Sequence, residues 1–286
     1  MSLLLRLTGV TKKFGGLTAV NNVSFDIDKG SVVGLIGPNG AGKTTVFNLI
    51  TGNYTPTNGD VDFKGISVLR EKRKIFDLFG INGNAGLNGN GTLSKLIYKT
   101  IAPNKIVKMG IARTFQTIRL FQNMSVIENV LAGCHCRMKS GSISAMLRLP
   151  SQKEEEEKAL KKAAETLDFV GLLHEAENLA KNLSYGQQRL LEIARALASD
   201  PELIILDEPA GGMNDQETSE LVRLIGKIAE KDITVLLIEH DMNLVMKACH
   251  KLIVLEYGTK IAEGIPEDIK NNKRVIEAYL GADEED

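Results

Sequence analysis

The sequence predicts an α/β fold on a largely parallel sheet, with a helical segment inserted in it, and three observations carry that prediction. Short, nearly all-apolar runs stand at residues 31–36 (SVVGLI), 203–206 (LIIL) and 233–238 (ITVLLI), the pattern of strands covered on both faces. Between the last two, Leu221, Val222, Leu224, Ile225 and Ile228 recur at helical spacing within residues 216–231, so that strand, helix and strand form a right-handed crossover. The third is GPNGAGKT, residues 37–44, which follows the first run and precedes a predicted helix at 45–51, the strand–loop–helix setting of a phosphate-binding loop.

The totals set bounds. The chain has 286 residues, 43% hydrophobic and 25% charged, ordinary for a globular protein with a sizeable core. Thirty-five Lys and Arg against 36 Asp and Glu leave a formal net charge of −1. Nucleic acid is therefore not expected as the main ligand, and any anion has to be gripped locally. Cys134, Cys136 and Cys249 are too few and too odd in number for a disulfide framework and fit a reducing cytoplasm. Cys134, His135 and Cys136 are adjacent on a predicted helix, where neighbours point about 100° apart, so they are not expected to converge on a metal. The start, MSLLLR, is wrongly flanked for a signal peptide, and the longest apolar runs are far shorter than a membrane span. Work at a membrane would need spans from another chain.

Residues 124–200 read as a mostly helical insert, dividing an α/β core at 1–123 and 201–286. Ser151 followed by Glu154 has the pattern of a capping box, and Ala159, Leu160, Ala163, Ala164 and Leu167 then mark one helical face. Glu154 to Glu157 reads as a solvated first turn favoured by the helix dipole. Ser184 reads as the N-cap of a helix that buries Leu190, Leu191, Ala194 and Leu197. Glu284, Glu285 and Asp286 form a frayed tail.

A second glycine-rich stretch, GINGNAGLNGNG at residues 80–91, has no lysine in register and no apolar strand to aim it. It is expected to be a flexible surface loop, with a contact loop for a partner as the other reading. Replacing residues 80–91 by a short turn should leave phosphate-ligand binding at residues 37–44 unchanged. A loss of that binding in a titration of the variant would refute the loop reading.

The glycines of residues 37–44 let backbone N–H groups turn in on phosphate oxygens, and the helix that follows adds its positive end. Lys43 can reach the β- and γ-phosphates and Thr44 can hold Mg²⁺. Gly37, Pro38, Asn39, Gly40, Ala41, Gly42, Lys43, Thr44 and Thr45 are thus the nucleotide-binding candidates. Asp207 and Glu208 end an apolar strand, where ligands sit in such sheets. An isolated Asp-Glu pair there is commonly a cap or turn. Beside a phosphate loop, Asp207 suits the metal and Glu208 suits polarising an attacking water.

The phosphate loop, LSYGQQ at 183–188, ILDEP at 205–209 and IEHDM at 238–242, in that order, resemble the motifs of the ATP-binding-cassette (ABC) ATPases over nearly the whole chain. The resemblance implies one P-loop NTPase domain across residues 1–286, with a RecA-like core, an N-terminal antiparallel β subdomain and an inserted α-helical subdomain. It implies ATP and Mg²⁺ as ligands, and two cassettes closing head to tail on two ATP molecules. Ser184, Gly186 and Gln187 would then meet the γ-phosphate held by the partner. Phe14 would stack on adenine, and Gln116 would touch both metal and attacking water. Asp207 would serve the metal, Glu208 the water, and His240 the γ-phosphate, while Asn214 falls in the loop that crosses the dimer. Taken alone, Phe14 reads as core, Gln116 as a loop amide and His240 as a cap. Tyr185 replaces the commoner glycine of LSGGQ, a variant that occurs within the branch described next.

Residues 110–130 and 257–282 are similar to the LivG-type ATP-binding subunits of branched-chain amino-acid importers. That similarity implies import of branched-chain amino acids or a similar small polar solute. It also implies a second cassette, identical or paralogous, and permease subunits contacted near residues 116–121 and the helical insert. A solute-binding protein would be an indirect partner, and the chain would lie peripherally on the inner face of the cell membrane. Relatives usually have a shorter connection where this chain has residues 68–102, an unusual Gly/Asn-rich insert. A soluble mechanical ATPase of the same superfamily is the competing reading, but it would bring long coiled coils or two cassettes. A degenerate module without turnover is opposed by the set Lys43, Gln116, Asp207, Glu208 and His240.

Overall fold

A computed structural model describes residues 2–68, 71–73, 97–99, 101, 103–137 and 150–280. The GINGNAGLNGNG stretch, most of the 68–102 insert and the acidic tail lie outside the described residues.

Strands β1 (Leu3–Phe14) and β2 (Leu17–Asp28) form an antiparallel hairpin, after which the chain enters β3 (Val32–Ile36) and helix α1 (Lys43–Ile50). It returns to the first sheet with β4 (Asn58–Phe63) and β5 (Ile66–Ser67), and a separate short pair follows, β6 (Glu71–Arg73) with β7 (Ile97–Lys99). Helix α2 (Pro103–Met109) leads to β8 (Ile111–Arg113), and then come α3 (Val126–Cys134), α4 (Pro150–Val170) and α5 (Tyr185–Leu197). The chain goes on through β9 (Leu203–Asp207), α6 (Asp215–Glu230), β10 (Thr234–Ile238), α7 (Met242–Ala248), β11 (Lys251–Glu256) and β12 (Thr259–Gly264). It ends in α8 (Pro266–Lys270) and α9 (Lys273–Leu280).

The main sheet has the order β12-β11-β3-β10-β9-β8, parallel throughout except for the antiparallel edge strand β12. Its central strands are apolar at consecutive positions because both faces are covered. Alternation splits them between two cores. Ile204, Leu206, Val235 and Leu237 pack with the helices, whereas Leu203, Ile205, Leu236 and Ile238 pack with α1 and the antiparallel sheet β2-β1-β4-β5.

The helices α3, α4 and α5 share the first of these cores through Val126, Val130, Ala163, Leu167, Leu191 and Ala194. Two expectations at α4 are corrected. The helix starts at Pro150, a residue suited to a first turn, so Ser151 lies within it instead of capping it, and Glu154 to Glu157 fall beyond the first turn. Leu160 is 49% exposed and stands off the buried face formed by Ala159, Ala163 and Leu167.

The strand order positions the site. Strands β3, β10, β9 and β8 are parallel neighbours, so the segments leaving their carboxyl ends, at residues 37, 239, 208 and 114, emerge along one edge.

Candidate active site

The loop between β3 and α1 is shaped by glycines that admit no side chain. Gly37 has φ 152°, and a Cβ there would stand 2.2 Å from the carbonyl oxygen of Leu255 on β11. Gly42 has φ 96° and forms the N-cap of α1 without a side-chain cap, and a Cβ there would meet the Ala19 carbonyl oxygen at 2.6 Å. The first turn of α1 therefore offers its N–H groups to the loop, the arrangement that suits a phosphate. Lys43 is only 7% exposed. Its Nζ donates to the carbonyls of Gly37 at 2.6 Å and Pro38 at 3.0 Å, which holds the ammonium in the loop. Burial pushes its pKa down, against the raising pull of Glu208, Asp207 and Glu239. Asn39, Gly40 and Thr44 are exposed, Pro38 and Thr45 half-buried, and Ala41 buried.

Asp207 is the last residue of β9 and is buried. Burial, followed by the charge of Glu208, raises its pKa to about 6, against the lowering effect of Arg189, Arg113 and Lys43. Its N–H donates to Thr114 Oγ1 at 3.3 Å. Glu208 has φ 46°, an uncommon backbone region for a residue with a side chain, and its N–H donates to the Ile238 carbonyl at 2.9 Å. That turn presents the carboxylate to two other loops. Gln116 Nε2 donates to Glu208 Oε2 at 3.0 Å, and His240 Nδ1 lies 3.4 Å from Glu208 Oε1. Gln116, Glu208 and His240 thus meet at the carboxyl edge of the sheet.

Sequence reading passed over Glu239, whose signal was a charge directly after an apolar strand. It is 2% exposed and accepts the N–H of Ala210 on Oε1 and that of His240 on Oε2, both at 3.2 Å. One buried carboxylate therefore joins the loop after β9 to the loop after β10. Burial raises the pKa of that carboxyl, and the two N–H bonds oppose the shift.

Ser184 caps α5 as expected. Its Oγ accepts the Gln187 N–H at 3.3 Å, and Gln187 Oε1 accepts the Ser184 N–H at 3.0 Å. Gln187 Nε2 donates to Glu175 Oε1 at 3.3 Å, so the Gln187 amide serves the cap and its support. Asn214 caps α6 through a second capping box with Glu217. Gly186 rests against that turn, where a Cβ would come 2.3 Å from Glu217 Oε1. Among the described residues, no hydrogen bond or ion pair joins Ser184, Gly186 or Gln187 to Lys43, Asp207 or Glu208. Phe14 is 42% exposed and so is not a core residue; its ring meets Tyr54 edge-on at 5.2 Å, with Lys12 Nζ 4.9 Å from its centroid.

A family model described as ABC transporter matches residues 20–211, and one described as branched-chain amino acid ATP-binding cassette transporter matches residues 259–285. The high-affinity branched-chain amino acid transport ATP-binding protein LivG of Salmonella typhimurium is 45% identical over 279 residues, 97% of this chain and 98% of its own. The crystal structure of the ADP conformation of MJ1267, an ATP-binding cassette of an ABC transporter, matches with a TM-score of 0.77 at 30% identity, covering 98% of this chain and 100% of that one. The dimeric post-hydrolysis state of the ATP-binding cassette MJ0796, bound to ADP and Pi, matches with a TM-score of 0.69 at 25% identity, covering 92% of this chain and 99% of that one.

Proposed function

The chain belongs to the ABC transporter family of ATP-binding cassettes, and from that premise we propose that it hydrolyses ATP as a dimer to drive import of branched-chain amino acids. The observation that carries the catalytic reading is the carboxylate of Glu208, held between Gln116 and His240 on the edge where the phosphate loop emerges. The LivG relative and the family match at residues 259–285 support the cargo.

The roles follow from the chemistry each group can perform. Lys43 and the N–H groups of residues 37 and 39–45 hold the β- and γ-phosphates, and Phe14 offers an exposed ring to adenine. Gln116 and His240 orient water and γ-phosphate against Glu208. Glu208 takes a proton as the water oxygen bonds to the γ-phosphorus, and the β–γ bridging oxygen leaves with ADP. Thr44, Asp207 and Gln116 would supply an all-oxygen donor set for Mg²⁺, which when bound would offset the charge of the phosphates. The fit is electrostatic as well, because the adjacent charge of Glu208 helps to raise the Asp207 pKa and a cation would relieve that repulsion.

Ser184, Gly186, Gln187 and Asn214 stand apart from the chain's own phosphate loop and serve the ATP of a second cassette, identical or paralogous. The Ser184 turn supplies a helix N-terminus for that phosphate. Permease subunits dock in a cleft of about 450 Å³ between α2, α3 and α5, lined by Val107, Phe115, Phe121, Gly133 and Arg195 among others. Among the described residues no helix is long and apolar enough to cross a membrane. The chain accordingly sits on the inner face of the cell membrane through its permease, and a solute-binding protein delivers the cargo on the other side.

The test is hydrolysis in proteoliposomes carrying the chain with permease subunits of a branched-chain amino-acid importer from the same source and, where one is present, their second cassette. Leucine-loaded binding protein should raise ATP turnover several-fold over the unloaded protein. Turnover that ignores leucine, isoleucine and valine refutes the cargo, and a chain that does not assemble with those permeases refutes the transport reading.

A further inference from the structure

Helix α5 carries two ionisable side chains that an amphipathic helix does not explain. Arg189 and Glu192 are 3% and 1% exposed, and Arg189 Nη1 lies 3.2 Å from Glu192 Oε2. A buried ion pair has to recover a large desolvation cost through further hydrogen bonds, and here those bonds lead to two functional segments. Arg189 Nη1 donates to the Phe115 carbonyl at 2.6 Å and Nη2 donates to the Gln116 carbonyl, so one guanidinium holds two successive peptide units. Nη2 also donates to Tyr185 Oη at 3.1 Å. Glu192 Oε1 accepts the Arg119 N–H at 3.4 Å, and the Phe115 ring lies between the guanidiniums of Arg113 and Arg119, at 4.4 and 4.5 Å from its centroid. The segment around Gln116 is thereby fastened to α5 at residues 115, 116 and 119.

We propose that Arg189 is a positioning residue that couples the two ATP sites of the dimer, by fastening Gln116, which serves the chain's own nucleotide, to residues 184–186, which serve the partner's. The inference rests on the head-to-tail reading above. Tyr185 is the element that completes the connection. It sits between Ser184 and Gly186, its hydroxyl accepts from Arg189, and its ring lies against Gly212, where a Cβ would stand 3.0 Å from Tyr185 Cε1. The tyrosine that replaces the usual glycine therefore joins the cap turn of α5, the loop between Glu208 and Asn214, and the Gln116 backbone. The guanidinium suits the task because its donors are set in a rigid plane, so a shift at one acceptor moves the others. A lysine, with three donors on one nitrogen, cannot span two carbonyls, a hydroxyl and a carboxylate together.

The test uses the Glu208→Gln chain, in which MgATP should drive a dimer that does not turn over. Adding Arg189→Lys should raise the MgATP concentration for half-maximal dimer, read by size-exclusion chromatography, about tenfold, equal to about 1.4 kcal/mol. Monomer affinity for a fluorescent ATP analogue should stay unchanged while the thermal midpoint falls, because the lysine leaves buried acceptors unpaired; a loss of dimerisation without a loss of monomer affinity is what a merely structural role would not predict. Tyr185→Phe removes one hydroxyl from a residue that is 46% exposed and should raise the same midpoint about threefold, in keeping with the loss of one hydrogen bond. If Arg189→Lys fails to fold, Tyr185→Phe decides. Dimerisation curves that do not move overturn the coupling role. So does an equal loss of monomer nucleotide affinity, which would confine Arg189 to its own site. A Glu208→Gln parent that dimerises neither with itself nor with the paralogous cassette overturns the head-to-tail reading and this inference with it.

Discussion

Glu208→Gln is expected to bind MgATP at least as tightly as the parent chain, to accumulate as an ATP-bound dimer, and to lose about 10³-fold in turnover, the range set by removal of a general base. The substitution keeps the shape of the side chain and its position between Gln116 and His240. It also keeps the left-handed backbone at this residue, where φ is 46°, so no new strain enters. What is lost is the group that accepts a proton from water. The electrostatic consequence has a definite sign. The charge of Glu208 is one cause of the raised Asp207 pKa of about 6, so removing it lowers that pKa and leaves Asp207 more fully ionised at neutral pH. Cation and nucleotide binding should therefore not weaken. Isothermal titration and a steady-state phosphate-release assay on the same preparation separate the two effects. Turnover within tenfold of the parent would remove Glu208 from the chemistry.

Ser184→Arg is expected to retain nucleotide binding in the monomer yet abolish ATP-driven dimerisation, with turnover falling about 10³-fold because the base and the ordered phosphate are no longer assembled together. Locally the change removes the oxygen that accepts the Gln187 N–H, a cap worth about 1 kcal/mol, and places a cation at a helix N-terminus, where it is unfavourable. Ser184→Ala removes the same cap without the bulk or charge. Both variants should lower the thermal midpoint modestly, the arginine somewhat further, and only the arginine should block closure. Normal dimerisation of Ser184→Arg with ATP would show that this turn does not face a partner's phosphate.

Both expectations rest on motifs that sequence reading reached, but the reach was uneven. Continuous apolar runs identified β3, β9 and β10 because strands covered on both faces lose their alternation. The Ser184 cap was legible because a capping box is a four-residue device. Leu160 and Ser151 were misplaced for the complementary reason. The face a helix buries and the residue on which it starts depend on what packs against it, and periodicity leaves a position or two free. Gln187 is a phosphate contact by resemblance alone, and within the single chain its amide also bonds the Ser184 N–H and Glu175, contacts that local sequence does not reveal. Arg189 and Glu192 escaped notice because a charged residue in an amphipathic segment ordinarily faces water, and Glu239 because a charge directly after a strand ordinarily does the same.

What the sequence by itself determined is much of what is built from consecutive residues. The phosphate loop, the helix caps, the apolar strands and their order along the chain are local, because backbone N–H groups and strand burial are set by neighbours in the chain. Only the tertiary structure decided which distant side chains meet. Gln116 and Glu208 are 92 residues apart, yet lie 3.0 Å from each other. They meet because the sheet order β3-β10-β9-β8 differs from chain order and brings separate loops to one edge. The same holds for buried charge. Arg189 can leave water only where Phe115, Gln116, Tyr185 and Glu192 together present acceptors to its guanidinium, and that convergence exists only once α5 has packed against the segment that follows β8.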